Sequence, residues 1–277
     1  MTFGVVAGLL AGARVTVSPV PVIAAAVCPY PPLLVPRLAA GAAAELDGVR
    51  AACDAALRRL RDCGAPGLVV VGVDDATRWL EPPYGGTFAP WGEAVEVPPA
   101  DGGLPLSLLV GGWLLHRGAV AGGAAPTGGA RPGPDTGLAP DIGPVPDLGP
   151  VRMLTVAADA SPADCVALGQ RLAAGDPVAL LVMGDGSACR SEKAPGYHDP
   201  RAGAFDTEVA DALAAGDPQR LAALDPVLAS ELRAAGRAPW QVLAAAAAAS
   251  RPDRRWDAVL HCAEAPYGVG YFVASWL

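Results

Sequence analysis

The stretch from residue 183 to residue 201, MGDGSACRSEKAPGYHDPR, is dense in side chains that can bind, titrate or attack. It holds the single lysine of the sequence, Lys193, and one of its three histidines, His198. An apolar run, Val178–Met183, leads into it and predicts a buried strand. Open α/β sheets place their sites just past the carboxyl ends of such strands. We therefore predict a functional site here.

Ten residues are candidates for this site, because carboxylates and imidazoles exchange protons, amines and hydroxyls attack, and Arg and Tyr bind polar groups. The catalytic candidates are Tyr30, Asp185, Ser187, Lys193, His198 and Glu264. The substrate-binding candidates are Arg190, Glu192, Tyr197 and Tyr267. Lys193 is a Schiff-base or electrostatic residue if it is buried, and otherwise part of an exposed loop. For His198, an exposed surface loop and a role in the site are equally favoured.

The candidate nucleophiles lack supporting motifs. A hydrolase elbow needs Gly two residues before and two after its serine, and around Ser187 these positions hold Asp185 and Cys189. Cys189 could attack with help from His198, but nothing in the sequence lowers its pKa. We therefore favour packing roles for Ser187 and Cys189.

A non-haem iron site needs two His and one carboxylate. His116 follows an apolar helical pattern and is interpreted as structural. His261 and Glu264 are three residues apart in a predicted strand, which points them to opposite faces of a sheet. The residue pattern therefore predicts no metal ligands.

The elements around these residues alternate between apolar strands and amphipathic helices. Val22–Val27, a helix over 39–63 and a strand over 67–71 form a predicted parallel βαβ unit. The sequence predicts an α/β fold, a single domain whose central, mostly parallel or mixed sheet is flanked by helices on both faces. Further strands are predicted at 151–157, 178–183, 256–261 and 268–273, and further helices at 104–115, 161–174, 205–215, 218–224, 226–235 and 239–250.

Composition narrows the classes of protein. The net charge of −8 with no basic cluster excludes nucleic acid as the expected partner, and no apolar run is long enough to span a membrane. Six scattered cysteines without a CxxC pair predict reduced thiols and a cytoplasmic location. We expect an N-terminal extension at 1–19, a domain at 20–277, and within it a Gly/Pro-rich mobile insertion at 121–150 with Asp135, Asp141 and Asp147.

Three segments resemble the LigB-like catalytic subunit of the class III extradiol ring-cleavage dioxygenases, in the superfamily of the Memo-like proteins. They are VIAAAVCPYPPLLVP at 22–36, the GDGS turn at 184–187, and EAPYGVGYFVA at 264–274. The resemblance runs from about residue 20 to the C-terminus and is to an actinobacterial-type member. It implies an α/β fold, non-haem Fe(II), and opening of a catechol-type ring by O2.

The metal-ligand positions implied by the resemblance are not retained. Tyr30 stands where the family has its first ligand His, and VVVGVDDAT at 69–77 lacks the second. Ala188 replaces the acid/base His, and Glu264 is the remnant of the ligand carboxylate. We therefore expect the fold without ring cleavage and without a cofactor.

Three functions stay open. The leading hypothesis is a degenerate metal site whose cleft is reused to bind a small polar molecule or to run metal-free chemistry on it. The first alternative is an active Fe(II) ring-opening dioxygenase with rearranged ligands, Tyr30, His198, His261 and Glu264. The second is a non-catalytic interaction protein that uses residues 121–150. The resemblance favours a homodimer.

Overall fold

The computed structural model describes residues 21–122, 148–252 and 255–277. The predicted extension at 1–19 lies outside the described residues, as does most of the predicted insertion at 121–150, including its three aspartates. Within the described residues, the predicted α/β fold is confirmed.

The strands and helices follow the predicted alternation. The strands are β1 Val22–Cys28, β2 Leu68–Asp74, β3 Arg78–Trp79, β4 Gly86–Thr87, β5 Glu96–Val97, β6 Val151–Ala157, β7 Val178–Met183, β8 Ala258–Glu264 and β9 Tyr271–Trp276. The helices are α1 Pro36–Ala39, α2 Asp47–Asp62, α3 Leu106–Gly122, α4 Pro162–Ala173, α5 Ala202–Ala215, α6 Pro218–Ala222, α7 Pro226–Glu231 and α8 Arg237–Ser250. Short 3-10 turns lie at Pro32–Leu34, Ala40–Leu46 and Ala89–Trp91.

Seven of the described strands form one mixed sheet in the order β3-β6-β2-β7-β1-β9-β8. Its centre, β6, β2, β7 and β1, is parallel, and β9, β8 and β3 add antiparallel edges. β1 and β7, in the middle of the sheet, are continuous apolar runs because helices cover both faces of the sheet. Alternate residues of β1 and β7 therefore enter two separate cores, one beneath α2 and α3 and the other beneath α4, α5 and α8.

The predicted single helix over 39–63 is wrong at its start. The chain makes α1, breaks at Ala40 with a φ of 45°, and passes through the Ala40–Leu46 turn before α2 begins. A left-handed φ at alanine cannot continue an α-helix. Arg50 of α2 is 3% exposed and donates to the Leu34 carbonyl oxygen at 3.2 Å, which fixes the loop that follows β1.

The connections leave neighbouring central strands toward opposite faces. The chain runs from β1 into α2 and from β2 into α3 on one face, whereas β6 and β7 lead into α4 and α5 on the other. Because β7 lies between β2 and β1, the sheet has a topological switch point at the carboxyl end of β7. Ligand crevices of open α/β sheets form at such points.

None of the described helices combines the length and the apolar character that crossing a lipid bilayer demands.

Gly169 lies where α4 crosses α8, the helix that packs beneath the end of β7. A Cβ at this position would lie 2.5 Å from the Val242 carbonyl oxygen and 2.6 Å from the Ala245 Cβ. Because those atoms belong to a packed helix, Gly169→Ala forces the two helices apart. We expect the free energy of unfolding to fall by about 1–3 kcal/mol, measured by urea denaturation.

The matched control for this substitution is Gly203→Ala, also within a helix, where an added methyl meets nothing within 4 Å. We expect Gly203→Ala to stabilise the protein by about 0.5–1 kcal/mol, because alanine limits the unfolded chain and favours a helix. Equal effects of the two substitutions would contradict the close packing of α4 on α8.

Candidate functional site

The candidate site lies where β1 and β7 end side by side. Cys28 and Met183 are paired at the last step of the two parallel strands, and the Gly184 N–H donates to the Cys28 carbonyl oxygen at 3.0 Å. One residue further, the Tyr30 backbone N–H donates to Asp185 Oδ1 at 2.9 Å. The turn after β7 and the proline-rich loop after β1 therefore hold each other through Asp185.

Asp185 has the unusual acidity of the site. Burial raises its pKa from 3.8 to about 7, although the hydrogen bond from the Tyr30 N–H lowers it in part. The dominant cause is desolvation, which disfavours the carboxylate. Near neutral pH this carboxyl group is therefore divided between its protonated and ionised forms.

Two phenols stand close to this carboxyl group. Burial raises the pKa of Tyr30 and of Tyr271 above the usual range, and the charge of Asp185 raises both further. Both rings therefore keep their O–H groups at neutral pH. Within the described part of the chain, neither hydroxyl oxygen has a hydrogen-bond partner, and Tyr271 is only 2% exposed.

Tyr267 approaches the same region from the turn between β8 and β9. Its hydroxyl donates to Glu45 Oε2 at 2.9 Å, which joins the turn to the segment before α2. Gly268 has a φ of +75°, and a Cβ at this position would lie 2.5 Å from the Ala194 Cβ. The turn therefore needs glycine there.

Asp206 holds the turn that follows β7, and it was not among the site residues predicted from the sequence. It is 2% exposed and accepts three hydrogen bonds: from the Ser187 N–H at 2.8 Å, the Ser187 hydroxyl at 2.8 Å, and Arg190 at 3.0 Å. A signal for it existed. Asp206 lies on the apolar stripe of α5 with Val209 and Leu213, and a buried acid among such residues needs dedicated donors.

Ser187 and Cys189 serve packing, as the sequence favoured. Ser187 is 0% exposed, and its hydroxyl donates to a carboxylate that also faces Arg190. Cys189 is buried, and its thiol contacts the Leu232 carbonyl oxygen at 3.4 Å. Burial raises the pKa of Cys189, which keeps it a thiol.

Four of the other candidates lie apart from Asp185, on an exposed turn. Glu192, Lys193, Tyr197 and His198 are all exposed to solvent. Among the described residues, no hydrogen bond or ion pair connects any of the four to Asp185. These four polar side chains therefore lie on the surface of the protein. The candidate site itself is formed by Tyr30, Asp185, Tyr267 and Tyr271.

The described residues do not fit the iron centre that the resemblance implies. Within them, no group of three or more His, Cys, Asp or Glu side chains could hold a metal ion. His261 Nε2 lies 2.8 Å from Ser275 Oγ, Glu264 is exposed at the end of β8, and His198 is on the exposed turn. These side chains do not converge with Tyr30, and we derive no step through iron.

No protein-family model matches this chain, and no curated protein matches it either. The resemblance to the LigB-like subunit therefore remains a proposal. A function for this chain has to be inferred from the contacts of Asp185.

Proposed function

We propose that this chain is an extradiol-dioxygenase-like protein whose site at the carboxyl ends of β1 and β7 binds a small polar molecule and exchanges a proton with it through Asp185. The single observation that carries the proposal is the Asp185 carboxyl group, held by the Tyr30 N–H at 2.9 Å and raised by burial to a pKa of about 7. Perturbed carboxyl groups of this kind concentrate at functional sites.

The acidity of Asp185 suits proton transfer. A general acid or base works best when its pKa lies near the working pH, because both protonation states are then accessible. Its Oδ1 is occupied by the Tyr30 N–H, so Oδ2 is the atom that gives or takes the proton. The proton passes between Oδ2 and a hydroxyl, amide or amine of the ligand, and no cofactor is needed for that step.

The two phenols define what the ligand must carry. Tyr30 and Tyr271 stay protonated because burial raises their pKa values, so each can donate a hydrogen bond. Together with protonated Asp185 they present donors to a molecule with carbonyl or hydroxyl oxygens. An ionised acid is disfavoured here, because it would face the carboxylate form of Asp185.

We also propose a cytoplasmic location and a homodimer for this protein. All six cysteines lie in the described residues and are free thiols, as a reducing cytoplasm maintains. A net charge of −8 favours a small molecule over nucleic acid as the partner. The homodimer rests on the resemblance. The interaction role of residues 121–150 stays a prediction, because most of that segment lies outside the described residues.

The test is a ligand-observed NMR screen of neutral polar fragments (amides, ureas, lactams and alcohols) against the full chain. We expect fragments that bind the native protein and lose at least about tenfold in affinity in Asp185→Ala, which removes the side-chain donor that asparagine would keep. Their affinity should fall as the pH rises above about 7, because deprotonation of Asp185 removes a donor. The matched control is Asp101→Asn, an exposed carboxylate in a loop.

A panel without a single hit that depends on Asp185 contradicts the proposal. Hits that bind Asp185→Ala and the native protein equally, with the same pH dependence, also contradict it. Retained binding in Asp101→Asn shows that the loss in Asp185→Ala comes from the site rather than from net charge.

A further inference from the structure

A cavity lies between the carboxyl end of β6 and the segment from α7 to the start of α8. Its volume is about 590 Å³, which is the size of a small-molecule site. Its walls are mainly apolar, formed by Ala158, Pro226, Val227, Ala229, Ala234 and Ala235. Arg233, Arg237, Ser230, Asp159 and Glu231 supply its polar groups.

Arg237 is a buried cation without a counter-ion. Its side chain lines the cavity, yet the residue is only 5% exposed. Its guanidinium donates to the carbonyl oxygens of Ala158 and Ala160 and to Gln241 Oε1, all of them neutral acceptors. In the described part of the chain no carboxylate lies within ion-pair distance of it.

The nearest titratable group cannot supply the missing charge. Cys165 Sγ lies 4.0 Å from the Arg237 guanidinium, and burial raises the pKa of that thiol even though Arg237 lowers it in part. Cys165 therefore stays neutral. A buried, uncompensated cation is costly, and an anion from outside the chain relieves that cost.

The other charged groups of the cavity leave room for one negative charge. Arg233 also lines the cavity, and its NH1 donates to the Pro195 carbonyl oxygen at 2.9 Å. Glu231 pairs with Arg201 at 2.7 Å, and Arg201 also pairs with Asp199 at 2.7 Å. Asp159 lines the cavity, is exposed and opposes a dianion. Because Arg237 is buried without a carboxylate partner, the cavity fits a monoanion.

From this cavity we propose a binding site for a small organic acid, with its carboxylate between Arg233 and Arg237 and its apolar body against the alanine, proline and valine wall. Guanidinium groups match carboxylates in shape and charge, and the six apolar residues match a short hydrocarbon chain. Asp185 does not line this cavity, although the Gly236 N–H beside its wall donates to the Asp185 carbonyl oxygen at 2.7 Å. The proposal does not rest on the proton exchange proposed for Asp185.

The test uses hexanoate as the probe and hexanamide as its neutral analogue, each titrated into the full chain by isothermal calorimetry at pH 7. We expect hexanoate to bind at least about tenfold more tightly than hexanamide, since a charge-assisted hydrogen bond is lost in the amide. Arg233→Gln should weaken hexanoate by about tenfold or more.

Two further variants distinguish the loss of hexanoate binding from a loss of folding. Val227→Asp adds a negative charge at a side chain that is 65% exposed, so the fold tolerates it, and we expect it to weaken hexanoate while leaving Arg237 in place. Arg220→Gln removes an exposed arginine outside the cavity and should leave binding unchanged. Equal binding of hexanoate and hexanamide, no binding of hexanoate at millimolar concentration, or unchanged binding in both Arg233→Gln and Val227→Asp would overturn the proposal.

Discussion

The Asp185→Asn variant is expected to be more stable than the native protein at pH 8 and equally stable near pH 4. Burial raises the pKa of Asp185 to about 7 in the folded chain, against 3.8 for an unperturbed carboxyl. The folded state therefore binds this proton more tightly than the unfolded state does. The resulting stability is fully present below about pH 4 and is lost as the pH rises through about 7.

Asparagine keeps the side-chain oxygen that accepts the Tyr30 N–H and carries no charge to desolvate. We expect a gain of about 2–4 kcal/mol in the free energy of unfolding at pH 8, in proportion to the pKa shift. Urea denaturation at pH 4, 6 and 8 measures it for both proteins. The exposed Asp101→Asn serves again as control, with no pH-dependent gain. Parallel pH profiles for the native protein and Asp185→Asn would show that the carboxyl group is not desolvated.

A residue that destabilises its own fold at neutral pH is a familiar sign of a functional constraint. Asp185 could be replaced by a neutral residue with a gain in stability, and a purely structural role does not explain the carboxyl group. Asp185→Asn keeps a donor in place of the protonated carboxyl, so it should gain stability and lose the weakening of fragment binding that the native protein shows above about pH 7. A gain in stability together with a lost pH dependence of binding separates a site residue from a core residue.

The fold was predictable where a single physical signal dominates. The strands β1 and β7 are unbroken apolar runs, and only a sheet covered on both faces buries such runs. The helix predicted at 161–174 is α4, and the Ser161 side chain caps it by accepting from the Asp164 N–H. The prediction for 39–63 was wrong because alanines favour a helix locally, and the break at Ala40 is set by how the loop after β1 packs.

The site was predictable only in part, for the same physical reason. Tyr30 and Asp185 stand out because they follow buried strands, and topology alone brings strand ends together. A cluster of polar residues, by contrast, is typical of an exposed loop as well as of a functional site, and Lys193 and His198 are exposed. Tyr271 lies inside an apolar strand and Asp206 inside an apolar helix, so only the packed structure reveals their contacts with the site.

Asp206 is the residue whose loss should damage the structure of the site most. In Asp206→Ala the Ser187 N–H and hydroxyl lose their acceptor in the core, while Arg190, with 38% of its side chain exposed, can turn to water. Each buried donor without a partner costs about 1–3 kcal/mol, so we expect the free energy of unfolding to fall by about 3 kcal/mol. Asp211→Ala, an exposed acid of the same helix, should change it by less than about 0.5 kcal/mol.

The loss of Asp206 should also reach Asp185. Asp206 holds the turn after β7 and faces Gly270 in the turn before β9, where a Cβ would lie 2.7 Å from its Oδ2. When that hold is lost, water reaches Asp185 and its pKa returns toward 3.8, because burial is what raised it. In the Asp206→Ala background, the gain from Asp185→Asn at pH 8 should therefore shrink to less than half. A gain that stays undiminished would mean that the two carboxyl groups act independently, and that the buried anchor does not position the proton-exchanging group.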